Sequence, residues 1–265
     1  MAGGSVDGNG GGTEEIAVTS GLCHRFCMWK RLRRFLIFIC LGILVGGLVA
    51  FAWLRGTDAT AADFKSFKRG DIIFQTSRSG QSLAISLASK SPFSHMGIVD
   101  RDEYGELVVL EATATTRATP LLNWVKKGLG ERIAVYRFPD LTDASADAIS
   151  SAARKHFGKK YDPFFYSSED ELYCSELVYL AFKAGANLEL GKYQKVNSLD
   201  LDSFAARNVI RGRWNRYPLC ANGGAKDFES CFAIIQQQDL ITPESIARDD
   251  RLVKVYSNYG KLGGN

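Results

Sequence analysis

The sequence predicts an α+β domain that follows an N-terminal membrane-spanning helix. Residues 35–54 read FLIFICLGILVGGLVAFAWL, twenty positions without a charge. As a helix this run is about 30 Å long, which matches the hydrocarbon core of a bilayer. The rest of the chain mixes short strand-like and helix-like segments without strict alternation, a pattern typical of α+β folds. With 46% hydrophobic and 23% charged residues, the composition excludes a wholly disordered chain.

The pattern divides the chain into four parts. Residues 1–34 are predicted to be a disordered cytoplasmic tail with a basic end, because six of the first twelve positions are glycine and no apolar periodicity follows. Residues 35–54 are the predicted transmembrane anchor, residues 64–256 the folded domain, and residues 257–265 a flexible tail.

The charges that flank the apolar run predict its orientation. Five basic residues lie within the ten positions before it, whereas only Arg55 follows it closely. The positive-inside rule keeps the N-terminus in the cytoplasm and exports the folded domain. We therefore expect a single-pass inner-membrane protein with a periplasmic or otherwise extracytoplasmic domain. Ala50 and Ala52 form an A-x-A pattern typical of signal-peptidase sites, so a cleaved signal stays open, but the long leading tail favours a retained anchor.

Hydrophobic periodicity predicts the elements of the folded domain in order. A turn at Gly70 and Asp71 leads into the first strand, where we interpret Asp71 as a structural residue that bonds local backbone. The run RDEYGE forms a hairpin turn between the second and third strands. The predicted strands are residues 70–74, 95–99, 107–112 and 134–138, and the predicted helices are residues 81–89, 121–124, 144–157 and 174–184.

The hairpin places His95 beside Glu111. Its turn is centred near Glu103, equally far from both, so the two residues are predicted to be cross-strand neighbours on one face with Cβ atoms ~5 Å apart. A carboxylate at that distance accepts the imidazole N–H and stabilises the imidazolium. A register slip of one residue would place Glu111 on the opposite face.

Cys174 opens the apolar run CSELVYLAFKAG after an acidic, turn-forming stretch. It is therefore predicted at a helix N-terminus, where the macrodipole and free N–H groups stabilise a thiolate and a developing oxyanion. The acidic side chains just upstream oppose a thiolate unless they point outward. Taken alone, Cys174 is more often a core thiol and His95 or Glu111 a polar strand end. Their predicted convergence in one exported domain favours catalysis.

Six motifs in chain order resemble a known family. GDIIF, SHMGIV, EA, GKKYDPFF, YCSELVY and ITPESIA resemble the YiiX-like branch of the permuted papain-fold hydrolases, relatives of the NlpC-type cell-wall cysteine peptidases. The resemblance covers about residues 64–256, and SHMGIV and YCSELV are its most specific parts. In that family the papain-like domain is circularly permuted, so the histidine strand precedes the cysteine helix, as His95 precedes Cys174 here.

The resemblance implies a circularly permuted papain-like (NlpC-type) fold with Cys174 as nucleophile, His95 as base and Glu111 as the third polar residue. It also implies that Tyr161, in the KYDPFF stretch, lines the substrate cleft. The implied activity is thiol-dependent hydrolysis of an amide in cell-wall peptide. Two alternatives stay open. One is a lipid-directed acyl hydrolase or acyltransferase acting on an acyl-lipid substrate, because permuted folds of the lecithin retinol acyltransferase kind share the His-then-Cys order. The other is a non-catalytic binding module on the same fold.

The other cysteines indicate one structural bond and no metal site. Cys220 and Cys231 are eleven residues apart around a glycine-rich loop in the exported part, which favours a disulfide that would stabilise the fold by about 2–3 kcal/mol. Cys23, His24 and Cys27 lack a fourth ligand, so we predict no metal. No glycine-rich phosphate loop is present, and we expect no cofactor. The net charge of +4 is too small to indicate nucleic acid binding.

Overall fold

The computed structural model describes residues 33, 36–45, 59, 61–166, 168 and 170–260. The chain divides into two units, Met1–Leu54 and Arg55–Asn265. In the first unit, residues 36–45 are helical (α1) and their side chains are exposed. Within the described ranges, no helix combines the length and the apolar character that a membrane crossing requires. Most of the predicted tail, half of the predicted anchor, and the residues Cys23, His24 and Cys27 lie outside those ranges.

The second unit contains the elements of the folded domain. Its helices are α2 (Ala61–Phe64), α3 (Gly80–Ser89), α4 (Leu121–Lys127), α5 (Asp143–Arg154), α6 (Cys174–Ala186), α7 (Phe204–Arg211), α8 (Phe228–Gln236) and α9 (Pro243–Ala247). Its strands are β1 (Ile72–Ser77), β2 (His95–Arg101), β3 (Leu107–Ala112), β4 (Thr116–Pro120), β5 (Gly128–Arg137), β6 (Lys160–Tyr161), β7 (Glu171–Leu172), β8 (Gln194–Lys195), β9 (Asp239–Leu240) and β10 (Val253–Ser257).

Six strands form one antiparallel sheet in the order β10-β5-β1-β2-β3-β4. Successive side chains of a strand point to opposite faces, so the sheet carries a core on each side. Ile72 and Phe74 of β1 pack with helices α5 and α6, whereas Ile73 packs on the other face with α4. A third apolar cluster surrounds Cys220 and Cys231 in the C-terminal part of the chain.

Gly97 allows β2 to lie unusually close to β3. A Cβ atom at position 97 would be 2.6 Å from the Leu110 carbonyl oxygen and 2.5 Å from a methyl carbon of Val109. Any larger residue would push the two strands apart. The glycine in SHMGIV therefore keeps the hairpin closed at the end that carries His95.

Asp71 has the structural role that the sequence predicts. Its carboxylate accepts a hydrogen bond from the Lys68 amide at 2.8 Å and two from the Arg137 guanidinium at 2.6 and 2.7 Å. These bonds tie the turn before β1 to the end of the neighbouring strand β5. The contact fixes the centre of the sheet rather than the active site.

Each strand and helix predicted from periodicity overlaps an observed element, but the predicted flexible tail does not begin at residue 257. Ser257 ends β10, and the side-chain oxygen of the buried Asn258 accepts a hydrogen bond from the Ile133 amide at 2.7 Å. The Tyr259 ring packs edge-on against Phe93, with centroids 5.4 Å apart. The error arose because the polar composition of these residues hid their pairing with distant parts of the chain. Residues 261–265 lie outside the described ranges.

Candidate active site

The β2–β3 hairpin brings His95 and Glu111 into contact, with Nε2 of the imidazole 2.7 Å from Oε2 of the carboxylate. The strand pairs are centred on Tyr104 rather than Glu103, so the predicted direct cross-strand pairing was wrong by two residues. A shift of two residues keeps each side chain on its own face of the sheet. His95 and Glu111 are therefore diagonal neighbours, and the predicted contact between their side chains is present.

Glu111 is held as a carboxylate by three partners. Its side chain is buried; Thr119 Oγ1 donates a hydrogen bond to Oε1 at 2.6 Å, and Lys127 Nζ lies 3.5 Å from the same oxygen. Burial acts to raise the pKa of Glu111. The hydrogen bond and charge of His95, the hydroxyl of Thr119 and the charge of Lys127 outweigh burial and lower that pKa to about 2. The carboxylate is ionised at neutral pH.

His95 is held as an imidazolium by groups of opposite charge. Its ring stacks on the buried Trp124, with centroids 5.8 Å apart and an interplanar angle of 26°. Burial acts to lower the pKa of His95, but hydrogen bonds and negative charge from Cys174 and Glu111 raise it to about 10. Because Glu111 uses Nε2, the nitrogen left for the Cys174 thiol is Nδ1.

Cys174 is the first residue of helix α6, where the sequence places it. Two hydrogen bonds anchor this turn to the segment after β9: Ser175 Oγ donates to the Ile241 carbonyl at 2.8 Å, and the Tyr173 hydroxyl accepts from the Ile241 amide at 3.2 Å. In the acidic stretch upstream, Asp170 is exposed, so its charge is screened by water. The N-terminal amides of α6 lie beside the sulfur and can stabilise negative charge there.

Cys174 is buried, at 2% exposure, and belongs to the apolar cluster on the α6 side of the sheet. Cys174 lines a cavity of about 120 Å³. His95, Glu111 and Tyr161 line a second cavity of about 300 Å³. Gln81 belongs to the walls of both. Cys174 and His95 therefore lie in the walls of two neighbouring cavities.

Tyr161 lies in the short strand β6 and lines the cavity beside His95. Burial, followed by the negative charges of Cys174 and Asp162, raises the pKa of Tyr161 well above 10. Its hydroxyl therefore stays protonated and can donate a hydrogen bond. The role in the substrate cleft that the family resemblance implies for Tyr161 stays a prediction.

Sequence reasoning did not identify several residues around the His95–Glu111 contact. Thr119 lies on β4, an edge strand reading TRATP that was not predicted, although its β-branched threonines and terminal proline are typical of an edge strand. The sequence places Trp124 in a helix but does not predict that its ring stacks on the His95 imidazole. Gln81 contacts Arg213 across 132 residues of chain, a pairing that no local pattern contains.

Cys220 and Cys231 are joined by a disulfide, with Cα atoms 5.5 Å apart. Among the described residues of the second unit, Cys174 is the free cysteine. The described residues contain no group of three histidine, cysteine, aspartate or glutamate side chains placed to hold a metal ion.

Comparisons with known proteins place this geometry in a family. The model of the permuted papain-like amidase enzymes, the YaeF/YiiX or C92 family, matches residues 66–256. The uncharacterized protein YiiX of Escherichia coli K12 is 33% identical over 180 residues, which are 67% of this chain and 82% of that protein. A crystal structure of yiiX from Escherichia coli O157:H7, described as a metalloprotein, has 28% identity and a TM-score of 0.63 and covers 72% of this chain and 97% of the other. The described residues of this chain do not provide a set of ligands that fits a metal ion. The chain belongs to the permuted papain-like amidases of the YaeF/YiiX family and has their α+β fold.

Proposed function

We propose that this protein is a cysteine hydrolase in which Cys174, His95 and Glu111 cleave an amide bond. The observation that supports the proposal most is the 2.7 Å contact between the Glu111 carboxylate and the His95 imidazole, together with the interaction with Cys174 that helps to raise the pKa of His95. An imidazolium beside a thiol favours the thiolate, which is the nucleophilic form. Glu111 fixes the tautomer and the orientation of the ring.

The proposed reaction has two steps. The Cys174 thiolate attacks the carbonyl carbon, and backbone amides at the start of α6 stabilise the oxyanion. His95 gives its proton to the leaving nitrogen as the C–N bond breaks, which leaves a thioester. Water then gives a proton to His95 and attacks the thioester, so that the carboxylic acid leaves and the thiolate–imidazolium pair is restored. With its pKa near 2, Glu111 stays ionised throughout.

Two substrate classes remain proposals. An amide in cell-wall peptide is supported by the family resemblance alone. The acyl-lipid alternative gains support from the apolar cavity beside Cys174. A binding module is disfavoured, because burial of the charged His95–Glu111 pair carries a desolvation cost. Catalysis explains why that cost is retained, whereas binding alone does not.

We also propose that residues 35–54 anchor the protein in the membrane, with the hydrolase domain outside the cytoplasm. Apolar side chains of α1 such as Phe38 and Ile43 are 71% and 70% exposed, and lipid would cover them. The disulfide between Cys220 and Cys231 supports an oxidising compartment. Tryptic digestion of intact spheroplasts tests the orientation: the domain is expected to be cleaved without lysis, and protection would contradict export.

Replacement of the nucleophile tests the proposed function. Cys174→Ala is expected to abolish hydrolysis of muropeptides or of acylated substrates, read by mass spectrometry, and to remove alkylation of the domain by iodoacetamide at pH 6. Cys40→Ala is the matched control, since Cys40 is the free cysteine of α1, and it should leave activity unchanged. Full activity of Cys174→Ala would end the proposal.

A further inference from the structure

The two cavities beside Cys174 and His95 differ in chemistry. The cavity beside Cys174 has mostly apolar walls, which include Ala84, Leu201, Val209, Ile210, Trp214 and Ile235. The cavity beside His95 is also largely apolar in surface, but polar and charged side chains form more of its walls, among them Gln75, Ser77, Ser79, Ser82, Glu111 and Lys127. A substrate that spans both is therefore expected to place its more apolar end beside Cys174 and its more polar end beside His95.

The chemistry of thiol catalysis assigns an end to each cavity. After the first step the acyl carbon is bonded to the Cys174 sulfur, so the acyl group extends from the sulfur. The leaving group departs with the proton of His95, so it lies on the imidazole side. The acyl group therefore faces the apolar cavity, and the leaving group faces the cavity with more polar side chains.

On this basis, and resting on the proposed function, we propose that the substrate is an acylated polar compound whose fatty acyl chain occupies the cavity beside Cys174. The thiolate forms the S–C bond as the bond to the polar leaving group breaks, and that group takes its proton from His95. Water then displaces the sulfur, so the products are a fatty acid and a free amine or alcohol.

The one basic side chain in the walls of the apolar cavity is engaged in the fold. Arg213 donates a hydrogen bond to Gln81 Oε1 at 3.1 Å, and its guanidinium lies over the Phe164 ring, 5.8 Å from the centroid. The positive charge thus holds the wall together. Three polar atoms in the walls lack a hydrogen-bond partner among the described residues, namely Gln81 Nε2, Gln238 Oε1 and the Tyr217 hydroxyl. The remaining wall is mostly apolar, so an alkyl chain fills the cavity at a lower desolvation cost than a peptide backbone with its many polar groups.

The outer sides of two helices that form the apolar cavity also carry apolar residues. Leu83 and Leu87 of α3 are 56% and 44% exposed, and Phe204 at the start of α7 is 83% exposed. Large exposed apolar side chains are typical of surfaces that meet lipid. This placement suits a substrate whose acyl chain is taken from a lipid surface.

A series of p-nitrophenyl esters tests the proposal, because the leaving group stays constant while the acyl chain grows. With the full chain, kcat/KM is expected to rise from acetate to butyrate to octanoate by about fourfold per methylene that enters the cavity. The rise must be absent in Cys174→Ala, and it should stop once the cavity is full.

Filling the cavity should remove the chain-length preference. Ala84 of α3 lies in the apolar wall, so Ala84→Leu is expected to lower the octanoate-to-acetate ratio of kcat/KM at least tenfold. Ala144→Leu, at an exposed position of α5, is the matched control and should keep the ratio. Since a ratio does not depend on the amount of folded enzyme, partial misfolding does not obscure it. Ile210→Trp, at a half-buried wall position, provides a second filled cavity.

Three outcomes would overturn one proposal or the other. Cys174-dependent hydrolysis with no gain from acetate to octanoate overturns the acyl-chain site and leaves the hydrolase. Faster cleavage of N-acetylphenylalanine p-nitrophenyl ester than of the octanoate shows that the cavity takes an apolar amino-acid side chain, and it also overturns the acyl-chain site. Absence of Cys174-dependent cleavage of every ester and of muropeptides overturns the proposed function itself.

Discussion

Two carboxylates beside the active site, Glu111 at the hairpin end and Asp162 in the loop before α6, are buried to the same degree and titrate in opposite directions. Both residues are 1% exposed. Burial raises the pKa of both, but His95 and its neighbours lower that of Glu111 to about 2. Asp162 accepts a hydrogen bond from the Phe164 amide at 2.7 Å, and its pKa stays raised at about 6.

The two carboxylates differ in the charges beside them: Glu111 has two close cations, whereas Asp162 interacts with the guanidinium of Arg213 without a salt bridge and has the negative charge of Glu171 nearby. Glu111 has His95 at 2.7 Å and Lys127 at 3.5 Å, whereas no lysine or arginine forms a salt bridge with Asp162 within the described part of the chain. Backbone N–H groups alone do not offset the desolvation of a charge here. The hairpin is therefore suited to hold a permanent ion pair, and the loop holds a carboxyl that changes charge near neutral pH.

The largest expected effect follows from removing the charge of Glu111. Glu111→Gln keeps the size and a hydrogen-bond acceptor but no longer stabilises the imidazolium. We expect kcat/KM to fall by about 10⁴-fold, on the scale of triad carboxylate replacements in other enzymes. We also expect the alkaline limb of the pH profile, which the His95 pKa places near 10, to move to lower pH.

The matched control for this variant is Glu103→Gln. Glu103 is exposed in the turn of the same hairpin, so the substitution makes the same change in net charge without touching the imidazole. Its rate and pH profile should match those of the unmodified protein. Equal losses in the two variants would mean that Glu111 has no specific effect on His95.

A smaller effect is expected from the hydroxyl that supports Glu111. Thr119→Val removes the hydrogen bond to Oε1 and leaves His95 and Lys127 in place, so kcat/KM should fall by about tenfold and the free energy of unfolding by about 1.5–3 kcal/mol. Thr116→Val in the same strand is the control, because the buried Thr116 hydroxyl has no hydrogen-bond partner among the described residues. Chemical denaturation of both variants measures the difference, and equal losses would assign the effect to packing rather than to the hydrogen bond.

The sequence predicted the local parts of the site because local patterns encode them. The turn and the alternation of apolar and polar residues on either side of it predict the hairpin. Because side chains alternate with a period of two, an error of two residues in register leaves His95 and Glu111 on the same face. The apolar run after Cys174 predicts that the sulfur lies at a helix start.

The parts that were not predicted depend on contacts between distant residues. The hydrogen bond of Arg213 to Gln81 spans 132 residues, and the apolar cavity assembles from segments on both sides of α6. Such contacts follow from packing of the whole chain, which single-sequence periodicity does not contain. The short strands β6 to β9, with two residues each, are below the length at which alternation can be recognised.

The smallest expected effect concerns Asp162. Its pKa is raised whereas that of Glu111 is lowered, so its contribution to stability changes with pH in the opposite direction. Its native pKa of about 6 lies above the ordinary value of 3.8, so the native state binds the proton more tightly than the unfolded chain. The free energy of unfolding therefore falls as pH rises from about 4 to 6. Asp162→Asn removes this loss and should be neutral near pH 4 but stabilising by about 1 kcal/mol at pH 7, since partial solvation reduces the full effect. Urea denaturation at both pH values measures it, with the exposed Asp140→Asn as control. A variant less stable than the parent at pH 7 would mean that the ionised Asp162 has a stabilising partner and that the contrast with Glu111 is wrong.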